Sequence, residues 1–451
     1  DLEGNQIEQW TTTSEPHVFV AKLEPGQTYV LKEVKSAPGY TFAKDIRFTV
    51  SDNGTVDKVI MVDKKTKVKI LKVDENGNGL NGATIQILNK DKEPVKARVT
   101  DDTFEKGKDM IFESKALGVE ITNQLDANTT YYLREIVPPD GYHLAADDMI
   151  FITNKDETVK LVSITDVKTK VSISKADITT GKEIKGATLS IRDKSGNLIE
   201  SWTSEETPHI IEGKLIAGET YVLHEESAPD GYYYTVDVEF TMPLHDEGIV
   251  KVVMEDEKTY VELKKTDITT SKEVPGAKVQ IKDKDGNIIE EWVSTEEEHI
   301  IQGKLNAGET YIYHEEGAPD GYYYADDVEF TIPANKEDIQ KVELQDAPII
   351  VKIKKTDITN GVEVIGASLQ IKDKNGKVIE EWVSDGSEHI IQAKLKAGET
   401  YILHEEGAPN GYYYTEDIEF KIPLKDEGII KVEMKDAPTD VKIHKTDVTT
   451  G

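Results

Sequence analysis

Apolar and polar residues alternate in short runs along the chain, and clusters of Gly, Pro, Asn and Asp separate the runs. A period of two marks strands that bury one face. Residues 258–347 show the pattern clearly. "YVELKKTD" is a first strand, and "GAKVQIKD" is a second with Ala277, Val279 and Ile281 inward. The turn "KDGN" leads into "IIEEWVS", followed by "HIIQGKL" and, after "AGET", by "TYIYHEE". The Pro/Gly loop "GAPDGYYY" then precedes "DVEFTIP", which places Val328, Phe330 and Ile332 on one face, and "QKVELQD" closes the unit. Many short strands with regular turn signals predict an all-β sandwich or barrel. No convincing amphipathic helix is present.

The buried phase of three strands carries charge. Val261, Leu263 and Lys265 share a face, as do Tyr311, Tyr313 and Glu315, and Val342, Leu344 and Asp346. Each run is two apolar residues followed by an amine or a carboxyl, so one core receives a lysine and two acids. The adjacent Lys264 and Lys354 fall out of phase and are expected in solvent. An unpaired buried charge costs several kcal/mol even after relaxation, so these groups must be paired or consumed by chemistry.

The arrangement repeats. Lys175, Lys265, Lys355 and Lys445 are 90 residues apart, as are Glu135, Glu225, Glu315 and Glu405, and Asp166, Asp256, Asp346 and Asp436. Glu33, Asp63 and Lys72 extend the series with a step of 102 or 103. The longer step places an insertion in "EPVKARVTDDTFEKGKDMIFESKALGVEITN", which has room for a short helix. Trp10, Trp202, Trp292 and Trp382 mark this region in the other repeats. The predicted modules are one (1–64, partial, without a lysine strand), two (65–167, with the insertion), three (168–257), four (258–347) and five (348–437). Residues 438–451 begin a further repeat, so Asp63 and Lys445 are left without partners and the chain reads as part of a longer repetitive protein. Only nine residues separate Asp256 from Lys265 and Asp346 from Lys355. Such short joints, some with proline, predict an elongated rod of tandem domains.

Composition narrows the function. A 90-residue repeat is a normal small domain. The chain has no cysteine, which excludes disulfides, thiolate metal sites and thiol catalysis. A net charge of −32 argues against nucleic acid and anionic membranes. No run approaches the ~18 apolar residues of a membrane span.

Suppose Lys265 and Asp346 are neighbours with Glu315 in reach. Apolar burial favours neutral amine and neutral acid. The amine is then a nucleophile, the glutamate can polarise the aspartyl carbonyl and move the proton, and loss of water leaves a neutral amide. This would be one self-modification per module, without turnover. The alternative from spacing alone is a buried Lys–Asp–Glu ion cluster with no bond.

"LHEESAPDGY", "IYHEEGAPDGY" and "LHEEGAPNGY" resemble the E-box of the B-type repeats of Gram-positive collagen adhesins (CnaB) and of SpaA-like pilin domains. "KTDITTSKEVPGA" is similar to their first strand, and "KVVMEDEKT" and "VIMVDKKT" to their last. The resemblance covers essentially the whole chain. It implies tandem prealbumin-like (Ig-like) sandwiches, each with a spontaneous isopeptide bond between first and last strands. The implied bonds join Lys72 to Asp166, Lys175 to Asp256, Lys265 to Asp346 and Lys355 to Asp436. Glu135, Glu225, Glu315 and Glu405 would assist, with Glu33 their match in module one. Many family members carry asparagine where this chain has aspartate, and aspartate fits loss of water rather than ammonia. Module two departs most, with "REIVPPDGY". The resemblance further implies an extracellular, cell-wall-attached stalk that carries an adhesive tip. The tip, outside this sequence, would meet a host extracellular-matrix protein or glycan. Neither cofactor nor metal is implied. A monomeric rod on peptidoglycan is expected, and a pilus subunit or directly ligand-binding modules are the alternatives.

Other patterns carry less. "HEE" at His224, His314 and His404 lacks a second histidine at helical spacing, so zinc chemistry is not expected. His17, His209, His299 and His389 read as strand-edge residues. Tyr322–Tyr324 could offer an aromatic sugar surface or pack the loop onto a core. Acidic turns such as "DKDGN" suit calcium but need only be turns. Paired carboxylates for glycoside hydrolysis would need a cleft.

Overall fold

The structure is a computed structural model and describes residues 1–446 and 448–449. The predicted segment 438–451 includes Asp447, Thr450 and Gly451, which lie outside the described residues. Among the described residues every regular element is a strand, as the alternation predicts. The insertion of module two follows that rule too. It holds the strands Ile111–Glu113 and Val119–Thr122 with turns between them, and no helix.

The chain divides into two compact units. The first holds Asp1–Ser174, Leu189–His224 and Asp237–Met254; the second holds Lys175–Thr188, Glu225–Val236 and everything from Glu255. Module three is thus shared between them, while module two lies wholly in the first and modules four and five in the second.

Module four shows the architecture. A three-stranded sheet has Tyr260–Asp267 at its centre, flanked by His299–Gln302 and Gln340–Asp346. A four-stranded sheet runs Ile288–Val293, Lys278–Asp283, Thr310–Gly317, Val328–Thr331. The core between them is filled by the predicted phase, including Val261, Leu263, Val279, Ile281, Tyr311, Tyr313, Ile332 and Leu344. Ala277, Val279 and Ile281 are fully buried, which at roughly 1.5–3 kcal/mol per large apolar side chain is where the module's stability comes from.

The first and last strands of the module pair in parallel, with Lys265 opposite Leu344 and Asp267 opposite Asp346. The same register places Lys72 opposite Ile164 in module two and Lys355 opposite Met434 in module five. In each case the buried aspartate lies two residues beyond the lysine's partner, on the same face. Module one contributes the antiparallel pair Thr28–Leu31 and Ile46–Thr49.

Candidate functional site: a buried lysine, glutamate and aspartate in each complete module

Each complete trio meets inside its core. Lys72, Lys175, Lys265 and Lys355 are at most 2% exposed. Their ammonium groups contact Oδ1 of Asp166, Asp256, Asp346 and Asp436 respectively. The glutamates approach from the other sheet. Nζ lies 2.7 Å from Glu135 Oε1, 2.8 Å from Glu225, 3.2 Å from Glu315 and 2.9 Å from Glu405. The structure thus brings together all twelve residues of the four predicted trios.

Each glutamate is held by its other oxygen. The backbone N–H of Ala145, Thr235, Ala325 or Thr415 donates to Oε2 at 2.7–2.9 Å. Ala43 does the same for Glu33 in module one, at 2.7 Å. These donors lie ten residues past their glutamates, on the far side of the Pro/Gly loop. The loop therefore folds back to aim Oε1 at the lysine.

Two oxygens per site lack a hydrogen-bond partner. They are Oε1 of Glu135, Glu225, Glu315 and Glu405, and Oδ2 of Asp166, Asp256, Asp346 and Asp436. Oε1 is close to Nζ but off the hydrogen-bonding direction, so the contact is one of charge. A buried unsatisfied polar atom costs about 1–3 kcal/mol. Burial dominates the electrostatics and pushes Asp166, Asp256 and Asp346 up to about 7, against the lowering pull of the lysine. The glutamate adds to the rise. A buried carboxyl that holds its proton beside an amine is an acid prepared for condensation.

Module one brings only its acids together. Glu33 and Asp63 are half-buried, burial raises both, and the charge of Asp63 raises Glu33 further. Lys445 is exposed and outside any strand.

The other predicted groups have local roles. His224, His314 and His404 point away from the trio to Asp237, Asp327 and Asp417, each just before the neighbouring strand, at 2.6–2.7 Å. Among the described residues no His/Cys/Asp/Glu group is arranged to hold a metal ion. Asp283 of "DKDGN" accepts from Asp285 N–H and from both nitrogens of Asn287, which closes the turn. In the tyrosine triplet, Tyr322 Oη donates to Asp267 at 3.0 Å, and Tyr323 is buried in the core of module five. Tyr324 is half-buried, and its backbone N–H donates to the Leu424 carbonyl oxygen at 3.0 Å.

Sequence reasoning missed one constellation. His209, His299 and His389 begin strands, but each stacks on a tryptophan with ring centres 4.1–4.4 Å apart. Each also meets Glu200, Glu290 or Glu380 at 3.0–3.2 Å, and these acids bind Lys214, Lys304 and Lys394 at 2.8–2.9 Å. Trp10, His17, Glu8 and Lys22 repeat it in module one. The signal was present as a fixed Glu, Trp, His, Lys spacing that skips module two.

Tandem prealbumin-like sandwiches with an amine and two acids at the centre define a class of self-contained repeat domain. The chain belongs to the SpaA prealbumin-like fold domain family, whose model matches residues 1–65, 66–168, 169–258, 259–348 and 350–438. No curated protein matches it. Among solved structures it is similar to the Bacillus anthracis TIE protein, at 18% identity over 82% of this chain and 73% of that one, TM-score 0.34. It is also similar to the shaft pilin SpaA of Lactobacillus rhamnosus GG, at 14% identity over 41% of this chain and 99% of that one, TM-score 0.23. The major pilin subunit of Bacillus cereus gives 14% identity over 82% of this chain and 99% of that one, TM-score 0.21. No helix among the described residues is long and apolar enough to cross a membrane.

Proposed function

We propose that this chain is a load-bearing stalk of a Gram-positive surface protein, made of modules that each crosslink themselves once. The bonds join Lys72 to Asp166, Lys175 to Asp256, Lys265 to Asp346 and Lys355 to Asp436, within modules two to five as bounded above. The observation that supports this reading is the buried trio with its unpaired aspartyl Oδ2. As a salt bridge it leaves that oxygen unsatisfied in every complete module. As an amide it removes the oxygen altogether.

The neutral lysine Nζ attacks the aspartyl Cγ. Glutamate Oε1 takes a proton from the amine and returns one to the departing oxygen. Water leaves with the acid's hydroxyl and one amine proton, and the second amine proton stays on the amide. The strand register holds nucleophile and acid in contact, which supplies the entropic part of the rate. No turnover follows, because the nucleophile is consumed. The stalk would carry an adhesive tip outward from the cell wall, where that tip meets a host matrix protein or glycan.

Intact mass tests this directly. The wild-type chain should be lighter than its sequence mass by one water for each of four complete trios. Lys265→Ala should restore one water, and Glu315→Ala should leave the same module open. A wild-type mass equal to the sequence mass would refute the reading.

A further inference from the structure

The ten-residue step from each glutamate ends on Ala145, Thr235, Ala325 or Thr415, and all four supply the same backbone N–H. In module five the side chain does more. Thr415 Oγ1 lies 2.6 Å from Asp436 Oδ1 and 2.9 Å from the Lys435 carbonyl oxygen. Asp436 is fully buried, and its Oδ1 is the oxygen that also faces the Lys355 ammonium. Asp436 Oδ2 has no partner.

We propose that Thr415 is a further catalytic residue of module five, a hydroxyl donor that stabilises the charge developing on Asp436 Oδ1 during isopeptide formation. The inference rests on the condensation chemistry proposed above. It adds a group that the lysine, glutamate and aspartate pattern does not contain.

The two neighbours of the Thr415 hydroxyl in this contact are both acceptors, and it has one proton to give. In the ground state Lys435 O and Asp436 Oδ1 compete for it. When Lys355 Nζ adds to Cγ, negative charge moves onto the carboxyl oxygen that will become the amide carbonyl. The proton then goes to Oδ1, at a distance already right for a strong hydrogen bond. Asp436 Oδ2 leaves as water with the acid's proton and one from the amine, by way of Glu405, and Oδ1 is retained. Thr415 neither gains nor loses a proton overall. A donor aimed where charge appears, on an acid that is itself fully buried, stabilises the transition state more than the reactants. Module four has Ala325 at this position and no hydroxyl to offer. The two modules otherwise share strand register and trio. Module five should therefore close faster than module four in the same chain.

The test follows closure during cell-free synthesis of the whole chain. Samples are quenched in denaturant at intervals and digested, and the branched peptides joining Lys355 to Asp436 and Lys265 to Asp346 are measured by mass. The second peptide is the internal reference for folding. Hydrogen exchange in Ile350–Asp357 reports the folded population of module five independently. Thr415→Val is expected to slow module five roughly a hundredfold to a thousandfold relative to module four, the scale of a lost oxyanion donor. Thr415→Ser is expected to restore most of the rate, because it returns the hydroxyl. Equal rates for wild type and Thr415→Val overturn the assignment while leaving the crosslink reading intact. So does a Thr415→Ser chain as slow as Thr415→Val. Absence of both branched peptides from the wild type overturns this proposal together with the reading beneath it.

Discussion

Amide formation needs a free amine and a neutral acid, which is one proton shared by lysine and aspartate. An ammonium beside a carboxylic acid holds two and cannot react. Asp166, Asp256 and Asp346 lose a proton at about 7. Below that value modules two to four hold the extra proton, and above it the reactive composition is reached as a coupled pair. Closure in these modules should therefore slow about tenfold per pH unit below 7 and level off above it. Branched-peptide yield against time, at several pH values, checks this; a rate that rises on acidification would contradict it. Another residue-scale effect concerns the backbone. Gly213 and Gly303 adopt φ of 68° and 67°, and module five places Ala393 there at 54°. A Cβ in that region costs about 1–2 kcal/mol, partly offset by the greater unfolded-state freedom of glycine. Ala393→Gly should stabilise module five by roughly 0.5–1 kcal/mol, read from its urea midpoint. At this scale the site was largely legible. Alternation alone separated Lys265 from Lys264, which is half-buried beside Glu298 at 3.4 Å. It misjudged the outer face: Glu262 and Thr266 are buried there too, with Lys341 and Glu343 as cross-strand partners. Alternation assumes that the second face of a sheet meets water. It carries no information about polar pairs that cover one another.

The strands were legible as elements because each one has a period and a turn at its ends. Their pairing was not. That Tyr260–Asp267 lies parallel to Gln340–Asp346 depends on closing a chain of about 80 residues, and no local pattern encodes that. The recurring charges gave the only hint, since a lysine and an aspartate in two buried phases had to meet. The loop after the glutamate is tied down in a way the sequence hid. Tyr232, Tyr322 and Tyr412 donate to Asp177, Asp267 and Asp357 at 2.9–3.0 Å, and each of these acids sits two residues past the buried lysine of the trio. The same loop supplies the N–H that aims the glutamate three residues further on. The tyrosine thus fastens the glutamate's support to the lysine's own strand. In module two Asp74 is occupied by Asn76 and Asn78 at 2.8–2.9 Å instead. Tyr322→Phe should cost module four about 1.5–3 kcal/mol, the range for a hydrogen bond to a charged group. It should also slow that module's closure, whereas Tyr142→Phe should leave module two unaffected. Urea unfolding and branched-peptide kinetics measure the two effects; equal sensitivity of both modules would dismiss the clamp.

Neighbouring modules are joined by more than their connectors. Tyr233 packs among Val261, Leu263 and Ile301 of module four, and Tyr323 among Val351, Ile353 and Ile391 of module five. Backbone bonds run from Tyr234 N–H to Ala334 O and from Tyr324 N–H to Leu424 O, at 2.9 and 3.0 Å. The covalent path is shorter still, because one strand ends at Asp346 and the next begins at Ile350. With every bond closed, tension would leave a module through its aspartate and enter the next through its lysine. The sandwich between Lys265 and Asp346 would carry none of it. Such a bond would also close a loop of 81 residues, worth about 4.5 kcal/mol in the chain-entropy model. That figure understates the effect under force, where a closed loop cannot lengthen however far its strands separate. A single-molecule pull between the chain ends should therefore give no module-length step from modules two to five of the wild type. Lys265→Ala should add one step of roughly 250 Å, the extended length of the released loop less its folded span. The remaining three modules of that chain should stay closed. Module-length steps from the four complete modules in the wild type would mean that the trios are ion clusters. In that case the load would fall on hydrogen bonds between parallel strands, which shear and do not lock.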